Sequence, residues 1–367
     1  MNAAGRPTRI LVVDDSALVR QVLTRLIAAD PVFEVVGTAC DPFDAREKIK
    51  RLAPDVLTLD VEMPRMDGLT FLANLMRLRP MPVVMVSTLT EAGAATTLEA
   101  LELGAVDFIT KPALDLRNAL AGYADELHRK LRVAAQARVQ ASGRRPVEGA
   151  ATQLVQPQPD AATRRLLTTD KLIAIGASTG GVEALREVLP CFPAHGPAVL
   201  VVQHIPAAFS GPFARRLNGL CALTVHEAAD GQPVLPGNAY IAPGNRHLRV
   251  VREGARYYCR LGDDEPVNRH RPSVDVLFES VLRHAGTNAC AGLLTGMGDD
   301  GARGLRALRD GGCHTLAQDE RTSVVWGMPG EAVAREAAER IVPLEAVAAS
   351  LLGFVESVPS RQRSAGR

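Results

Sequence analysis

Five polar residues in the first third of the chain, Asp14, Asp15, Asp60, Ser87 and Lys111, each close an apolar run. Carboxylates forced together repel one another and favour a hard divalent cation such as Mg²⁺, which keeps several waters and accepts phosphate oxygens. An aspartate can take a phosphoryl group as an acyl phosphate. A hydroxyl and an ammonium at the same edge can then hold the new phosphate oxygens, which suits Ser87 and Lys111. Singly, each acid could equally cap a helix, as Asp15 before Ser16 could. It is the joint occurrence of all five that points to phosphoryl chemistry.

A second constellation begins at Ser178, bracketed by glycines in GASTGG (176–181). This segment follows an apolar strand and opens a helix, so the serine stands on a tight turn at a helix N-terminus, where unpaired N–H groups can meet a developing oxyanion. It satisfies G-x-S-x-G formally. A serine nucleophile needs a base, and the base an orienting partner. His204 ends the run AVLVVQ, while Asp299 and Asp300 lie in TGMGDDG (295–301) after another strand. His270 in NRHRPS is a second-choice base or a substrate contact; the remaining histidines lie on helices or beside polar turns. Taken alone, Ser178 suits a helix cap or phosphate cradle, His204 an interior histidine, and TGMGDDG a turn with an acidic helix start.

The elements that must carry these groups follow from periodicity. Short β-branched runs at 10–14, 33–39, 56–60, 82–87 and 107–110 alternate with helical segments, one of them opened by Asp41-Pro42 as N-cap and first-turn proline. Five such units predict a doubly wound parallel sheet, whose ligand crevice opens at the carboxyl ends of its strands. Residues 136–169 lose apolar periodicity and read as a flexible linker. Alternation resumes at 172–176, 198–203, 239–242 and 289–296, with helices from about Val182, Ser273 and Gly301. HLRVVREGARYYCRL predicts a hairpin turning at Glu253-Gly254, hence a mainly parallel, mixed α/β sheet. The expected boundaries are 8–131, a linker over 132–169, and 170–360.

Length and composition agree with two domains, since 367 residues exceed what one core commonly serves. Lys plus Arg number 42 against 41 Asp plus Glu, so no net field draws the chain to nucleic acid or an anionic membrane. The six cysteines have no zinc spacing, and no run reaches a bilayer span or resembles a signal peptide; a reduced, cytoplasmic protein without membrane insertion is expected. Neither a P-loop nor a helix-turn-helix is evident.

VVDDS (12–16), TLDVEMPRMDG (58–68), MVST (85–88) and TKP (110–112) resemble the receiver domain of bacterial response regulators over about Arg9 to Leu131. That resemblance implies phosphorylation of Asp60, and Mg²⁺ held by Asp15, Asp60 and the backbone carbonyl of Glu62. It also implies that Asp14 completes the pocket, that Ser87 and Lys111 sense the phosphate, and that the Lys111–Pro112 bond is often cis. A chemotaxis histidine kinase is the implied phosphodonor.

IGASTGG (175–181), QHIP (203–206), YIAPG (240–244), VNRHRPSVDVLF (267–278), LLTGMGDDG (293–301) and SVVWGMPGEA (323–332) resemble the chemotaxis protein-glutamate methylesterases, which also deamidate glutamine. The resemblance implies Ser178 as nucleophile, His204 as base then acid, and Asp300 as the residue orienting His204, with amides near Thr179 and Met297 in an oxyanion hole. The implied substrate is a chemoreceptor's cytoplasmic helices. Where this chain has Asp299 many members have Asn, which leaves both carboxylates as candidates for the contact with His204. A generic serine esterase acting on small metabolites is the alternative within the hydrolases.

Overall fold

The computed structural model describes residues 6–63, 66–88, 91–111, 117–137, 139 and 171–357. The chain divides into two compact units, Met1–Pro146 and Val147–Arg367.

The N-terminal unit runs β1 (Thr8–Val13), α1 (Ala17–Ala28), β2 (Phe33–Ala39), α2 (Pro42–Leu52), β3 (Val56–Asp60), α3 (Gly68–Leu78), β4 (Val83–Ser87), α4 (Glu91–Glu102), β5 (Asp107–Thr110) and α5 (Arg117–Gln136). The five strands form one sheet of order β2-β1-β3-β4-β5, every pair parallel, as the alternation predicts. Strands covered on both faces must be apolar throughout, and Ile10, Leu11, Val12 and Val13 are wholly buried. Helix α5 continues to Gln136, past the boundary expected at 131. Most of the expected linker, and Pro112 with its expected cis bond, lie outside the described residues.

Local signals set the helix starts. Ser16 caps α1 by accepting from Val19 N–H, and Asp41 caps α2 by accepting from Phe43 and Asp44 N–H at 2.8 and 2.9 Å. Pro42, with no N–H to satisfy, fills the first position of α2.

The C-terminal unit runs β6 (Leu172–Ala177), α6 (Gly181–Val188), β7 (Ala198–Gln203), α7 (Ala207–Asn218), β8 (Thr224–Glu227), β9 (Pro233–Val234), β10 (Asn238–Ile241), β11 (His247–Glu253), β12 (Arg256–Gly262), α8 (Val274–His284), β13 (Ala289–Leu293), α9 (Ala302–Asp310), β14 (His314–Gln318), α10 (Met328–Ala334), β15 (Arg340–Val342) and α11 (Val347–Ser357). Its main sheet has seven strands in the order β15-β14-β13-β6-β7-β10-β8, all pairs parallel. The expected hairpin forms as β11 and β12, but it pairs with β9 in a separate three-stranded antiparallel sheet. The mixed sheet expected from sequence is thus two sheets. The hairpin buries alternate residues, Leu248, Val250, Tyr257 and Cys259, in the core that α8 also joins through Leu277, Phe278 and Val281.

In this fold β6, β7 and β13 lie side by side and end at one edge. No helix among the described residues is long and apolar enough to cross a membrane.

Losing the Asp41 side chain removes the one oxygen, Oδ1, that accepts from both N–H groups at the start of α2. Asp41→Ala is expected to lower the unfolding free energy of the N-terminal unit by about 1 kcal/mol in chemical denaturation; an unchanged midpoint would mean that solvent replaces the cap at no cost.

Candidate functional site

In the N-terminal unit the strand ends bring the predicted acids together. Asp14, Asp15 and Asp60 each offer a carboxylate oxygen within 4.8 Å of the others. Asp14 and Asp60 are buried, whereas Asp15 is exposed. Lys111 reaches Asp60 Oδ2 at 2.8 Å and Asp14 Oδ2 at 3.6 Å. Asp14 Oδ1 accepts from Ser16 N–H at 2.8 Å, while its Oδ2 is buried without a hydrogen-bond partner. Glu62 donates its N–H to Asp60 Oδ1 at 3.3 Å and leaves its side chain in solvent. Three oxygens, one of them lacking a hydrogen-bond donor, make a donor set that suits a hard divalent cation.

Burial pushes the Asp60 carboxyl up to about 6, against the pull of Lys111 and with a push from Asp14. Burial likewise raises Asp14, although Lys111 and the Ser16 N–H counter it. Lys111 moves the other way from its own burial, because the carboxylates around it outweigh the loss of water and raise it. Ser87, at the end of β4, turns its hydroxyl to the Gly93 carbonyl at 3.4 Å and accepts from Thr97 Oγ1 at 2.7 Å. Sequence reasoning overlooked Thr97, and Arg20, whose guanidinium donates to the carbonyls of Asp14 and Asp15 at 2.7 and 2.9 Å. Arg20 sits one helical turn into α1, a position that only the folded turn connects to the acids.

In the C-terminal unit Ala177 pairs with Gln203 across β6 and β7, and His204 N–H donates to Ala177 O at 3.1 Å. The next residue after β6 and the next after β7, Ser178 and His204, are therefore neighbours on adjacent strands, about 4.8 Å apart in the pairing direction. On the other side Ser178 N–H donates to Thr295 O at 3.0 Å, which fixes the serine against the end of β13. Gln203 bridges the two turns, donating to Ser178 O at 2.9 Å and His204 O at 3.2 Å. Two left-handed glycines make the strand-to-helix turns possible: Gly180 (φ +78) caps α6 and Gly301 (φ +88) caps α9.

Asp300, and not Asp299, faces the imidazole. His204 Nε2 lies 2.9 Å from Asp300 Oδ2, whereas Asp299 is exposed beside Arg335 at 3.7 Å. Asp300 is 1% exposed and sits at the N-terminus of α8. Its Oδ2 also accepts from Val274 N–H at 2.7 Å; its Oδ1 accepts from Ser273 Oγ at 2.7 Å, Asn268 Nδ2 at 2.8 Å and Asp275 N–H at 3.3 Å. Burial alone would raise this carboxyl, but the donors, led by His204, outweigh it and hold the group below the ordinary carboxylate range.

An ionised carboxylate only accepts, so Nε2 carries a proton toward Asp300, and in the neutral ring Nδ1 then holds the lone pair. Nδ1 is buried and has no hydrogen-bond partner. It does not yet bond the Ser178 hydroxyl; such bonds often tighten only when substrate binds. His270 lies flat on His204, with ring centroids 3.8 Å apart and planes at 8°. The Met297 N–H has no hydrogen-bond partner among the described residues, while Thr179 accepts at its carbonyl from Thr295 Oγ1 at 2.9 Å.

The architecture defines a two-part signalling protein, a response-regulator receiver followed by a hydrolase-like α/β unit. Residues 10–121 match the response regulator receiver domain and residues 173–351 match the CheB methylesterase family. A protein-glutamate methylesterase/protein-glutamine glutaminase of Xanthomonas campestris pv. campestris is 58% identical over 348 residues, covering 95% of this chain and 97% of that one. One from Hahella chejuensis is 55% identical over 360 residues, with 95% and 97% covered. The crystal structure of the Thermotoga maritima CheB methylesterase catalytic domain superposes with a TM-score of 0.50 at 34% identity, covering 51% of this chain and all of that one. The chain belongs to the protein-glutamate methylesterase/protein-glutamine glutaminase family.

Because the folded state holds the Asp60 proton more tightly than the unfolded chain, its contribution to stability is full below about pH 4 and is lost as pH rises through about 6. At about 1.4 kcal/mol per pKa unit, Asp60→Asn should raise the unfolding free energy of the N-terminal unit by about 1–3 kcal/mol near neutral pH without divalent cations. The gain should vanish below about pH 4; denaturation curves at several pH values check both limbs.

Proposed function

We propose that this protein is a cytoplasmic, receiver-controlled serine hydrolase that cleaves glutamate 5-methyl esters on the cytoplasmic helices of chemoreceptors and deamidates selected glutamines there. The observation that carries the chemistry is His204, held through Nε2 by a buried, ionised Asp300 so that Nδ1 is its basic atom. Ser178 stands on the neighbouring strand end.

In this reading Ser178 Oγ attacks the side-chain carbonyl while its proton passes to His204 Nδ1. Asp300 stabilises the imidazolium that results without taking the proton itself. The N–H of Met297 and an amide near Thr179 receive the oxyanion. His204 then returns the proton to the leaving methoxide, methanol departs, and an acyl-enzyme remains. Water, deprotonated at the same Nδ1, releases glutamate. A glutamine amide passes through the same intermediate with ammonia as the leaving group.

The division of labour follows the expected boundaries 8–131, 132–169 and 170–360, with α5 carrying the first unit on to Gln136. Asp60 is the phosphoacceptor, supplied by a chemotaxis histidine kinase. Asp15, Asp60 and the Glu62 carbonyl, with Asp14 completing the pocket, would hold Mg²⁺, which offsets negative charge where phosphate arrives. Lys111 already spans Asp60 and Asp14, so it is placed to pair with the new charge. Ser87 would exchange its bond to the Gly93 carbonyl for a phosphate oxygen, and that movement carries the signal into the first turns of α4.

Ser178→Ala is expected to abolish methanol release from methylated receptor membranes while leaving the melting temperature unchanged. In the wild type a phosphodonor with Mg²⁺ should raise the rate. Wild-type turnover by the alanine variant would remove the serine from the mechanism, and equal turnover of a small methyl ester would favour a general esterase.

A further inference from the structure

Residues 267–270 close on themselves. Val267 N–H donates to His270 O at 3.1 Å and His270 N–H to Val267 O at 2.9 Å. The two central residues, Asn268 (φ +52) and Arg269 (φ +67), are both left-handed, the pattern of a type I′ reversal in which the second position ordinarily falls to glycine. Arginine there is strained, so interactions around the turn must hold it.

The Asn268 amide supplies one such interaction. One N–H of its single NH₂ group goes to Asp300 Oδ1 and the other to Asp275 Oδ2, each at 2.8 Å. Both carboxylates are 1% exposed. Asp275 is in turn anchored by Gly304 N–H, which donates to its Oδ1 at 2.7 Å from α9, and Arg303 lies 3.4 Å from its Oδ2. The amide thus ties the start of α8, the turn before α9 and the reverse turn into one cluster. Two residues on, His270 lies against the His204 ring.

We infer that Asn268 is a positioning residue of the His204–Asp300 pair: by bridging Asp275 and Asp300 it acts with Ser273 and the first N–H groups of α8 to set the rotation of the Asp300 carboxylate, so that Oδ2 faces His204 Nε2, and it helps to fix the turn that lays His270 on the ring. An amide is the group for this post, because the site needs two donors directed at two acceptor-only neighbours without adding charge. A carboxylate in its place would be a third acceptor facing two others. The inference rests on the reading of Ser178, His204 and Asp300 given above.

The test compares Asn268→Gly, Asn268→Asp and His204→Ala in the full chain. Glycine accepts the left-handed backbone, so the substitution adds no strain of its own at position 268 and removes the amide with whatever hold it has on the turn; aspartate tolerates that backbone but inverts the hydrogen bonding. Methanol release from methylated receptor membranes gives kcat and KM, and imidazole ¹⁵N spectra give the tautomer of His204. Both Asn268 variants should lose about 10–100-fold in kcat, with KM within about twofold of wild type and the Nε2–H tautomer replaced by a mixture. Wild-type kcat in Asn268→Gly, a loss expressed in KM alone, or a fall in kcat with the Nε2–H signature intact would each overturn the inference. Should Asn268→Asp fail to fold, Asn268→Gly decides alone. An active His204→Ala would overturn the underlying reading; an inactive one beside a fully active Asn268→Gly would overturn only the role of the amide.

Discussion

One buried carboxylate organises the C-terminal unit. Asp300 has left water entirely, and an isolated ion in such a place would neutralise itself by taking up a proton. It stays ionised because five donors converge on its two oxygens, two of them backbone N–H groups at the start of α8. Ser273, the N-cap of α8, does not bond its own helix; it donates to Asp300, and Asp300 takes the capping role. The end of β13, the start of α8 and the imidazole on β7 are therefore held by one group. Truncating it would leave helix ends and a ring nitrogen unsatisfied together.

The N-terminal unit treats its buried acids in the opposite manner. Asp60 and Asp14 share one ammonium, and one oxygen of Asp14 has no hydrogen-bond donor. Their carboxyls are raised where that of Asp300 is lowered. An over-satisfied carboxylate is a fixed part of a machine, whereas an under-satisfied cluster of carboxylates has free energy to gain from a cation. The same side chain thus serves as permanent scaffold in one unit and as receptive site in the other, and the number of donors around it decides which.

Much of this was legible in the sequence. Apolar runs closed by polar residues located the strand ends, so Asp14, Asp60 and Lys111 could be grouped in the first unit, and Ser178 with His204 in the second, before any fold was seen. Asp41-Pro42 announced its helix start because capping is local chemistry. What escaped depended on long-range packing. The resemblance named Asp300, but the physical ground for it over Asp299 is which side chain points at the α8 N-terminus, and adjacent residues in one turn carry no mark of that. Asn268 and Ser273 stood in a recognisable motif, but their shared target lies about thirty residues downstream. The hairpin was readable from its alternation; its exclusion from the large sheet was not, since its partner β9, two residues long, is too short to announce itself.

The ring attachment of His204 has a geometric corollary. Nδ1 is bonded to the carbon that joins the ring to the chain, so it sweeps a smaller arc than Nε2 when the side chain rotates. A proton acceptor on so short a lever cannot travel to meet its donor. In the proposed mechanism the donor must be brought to it, and the paired ends of β6 and β7 set Ser178 beside His204 through the backbone itself. Transplanting this pair onto long loops would lose that delivery, even with both side chains and their partner acid copied intact.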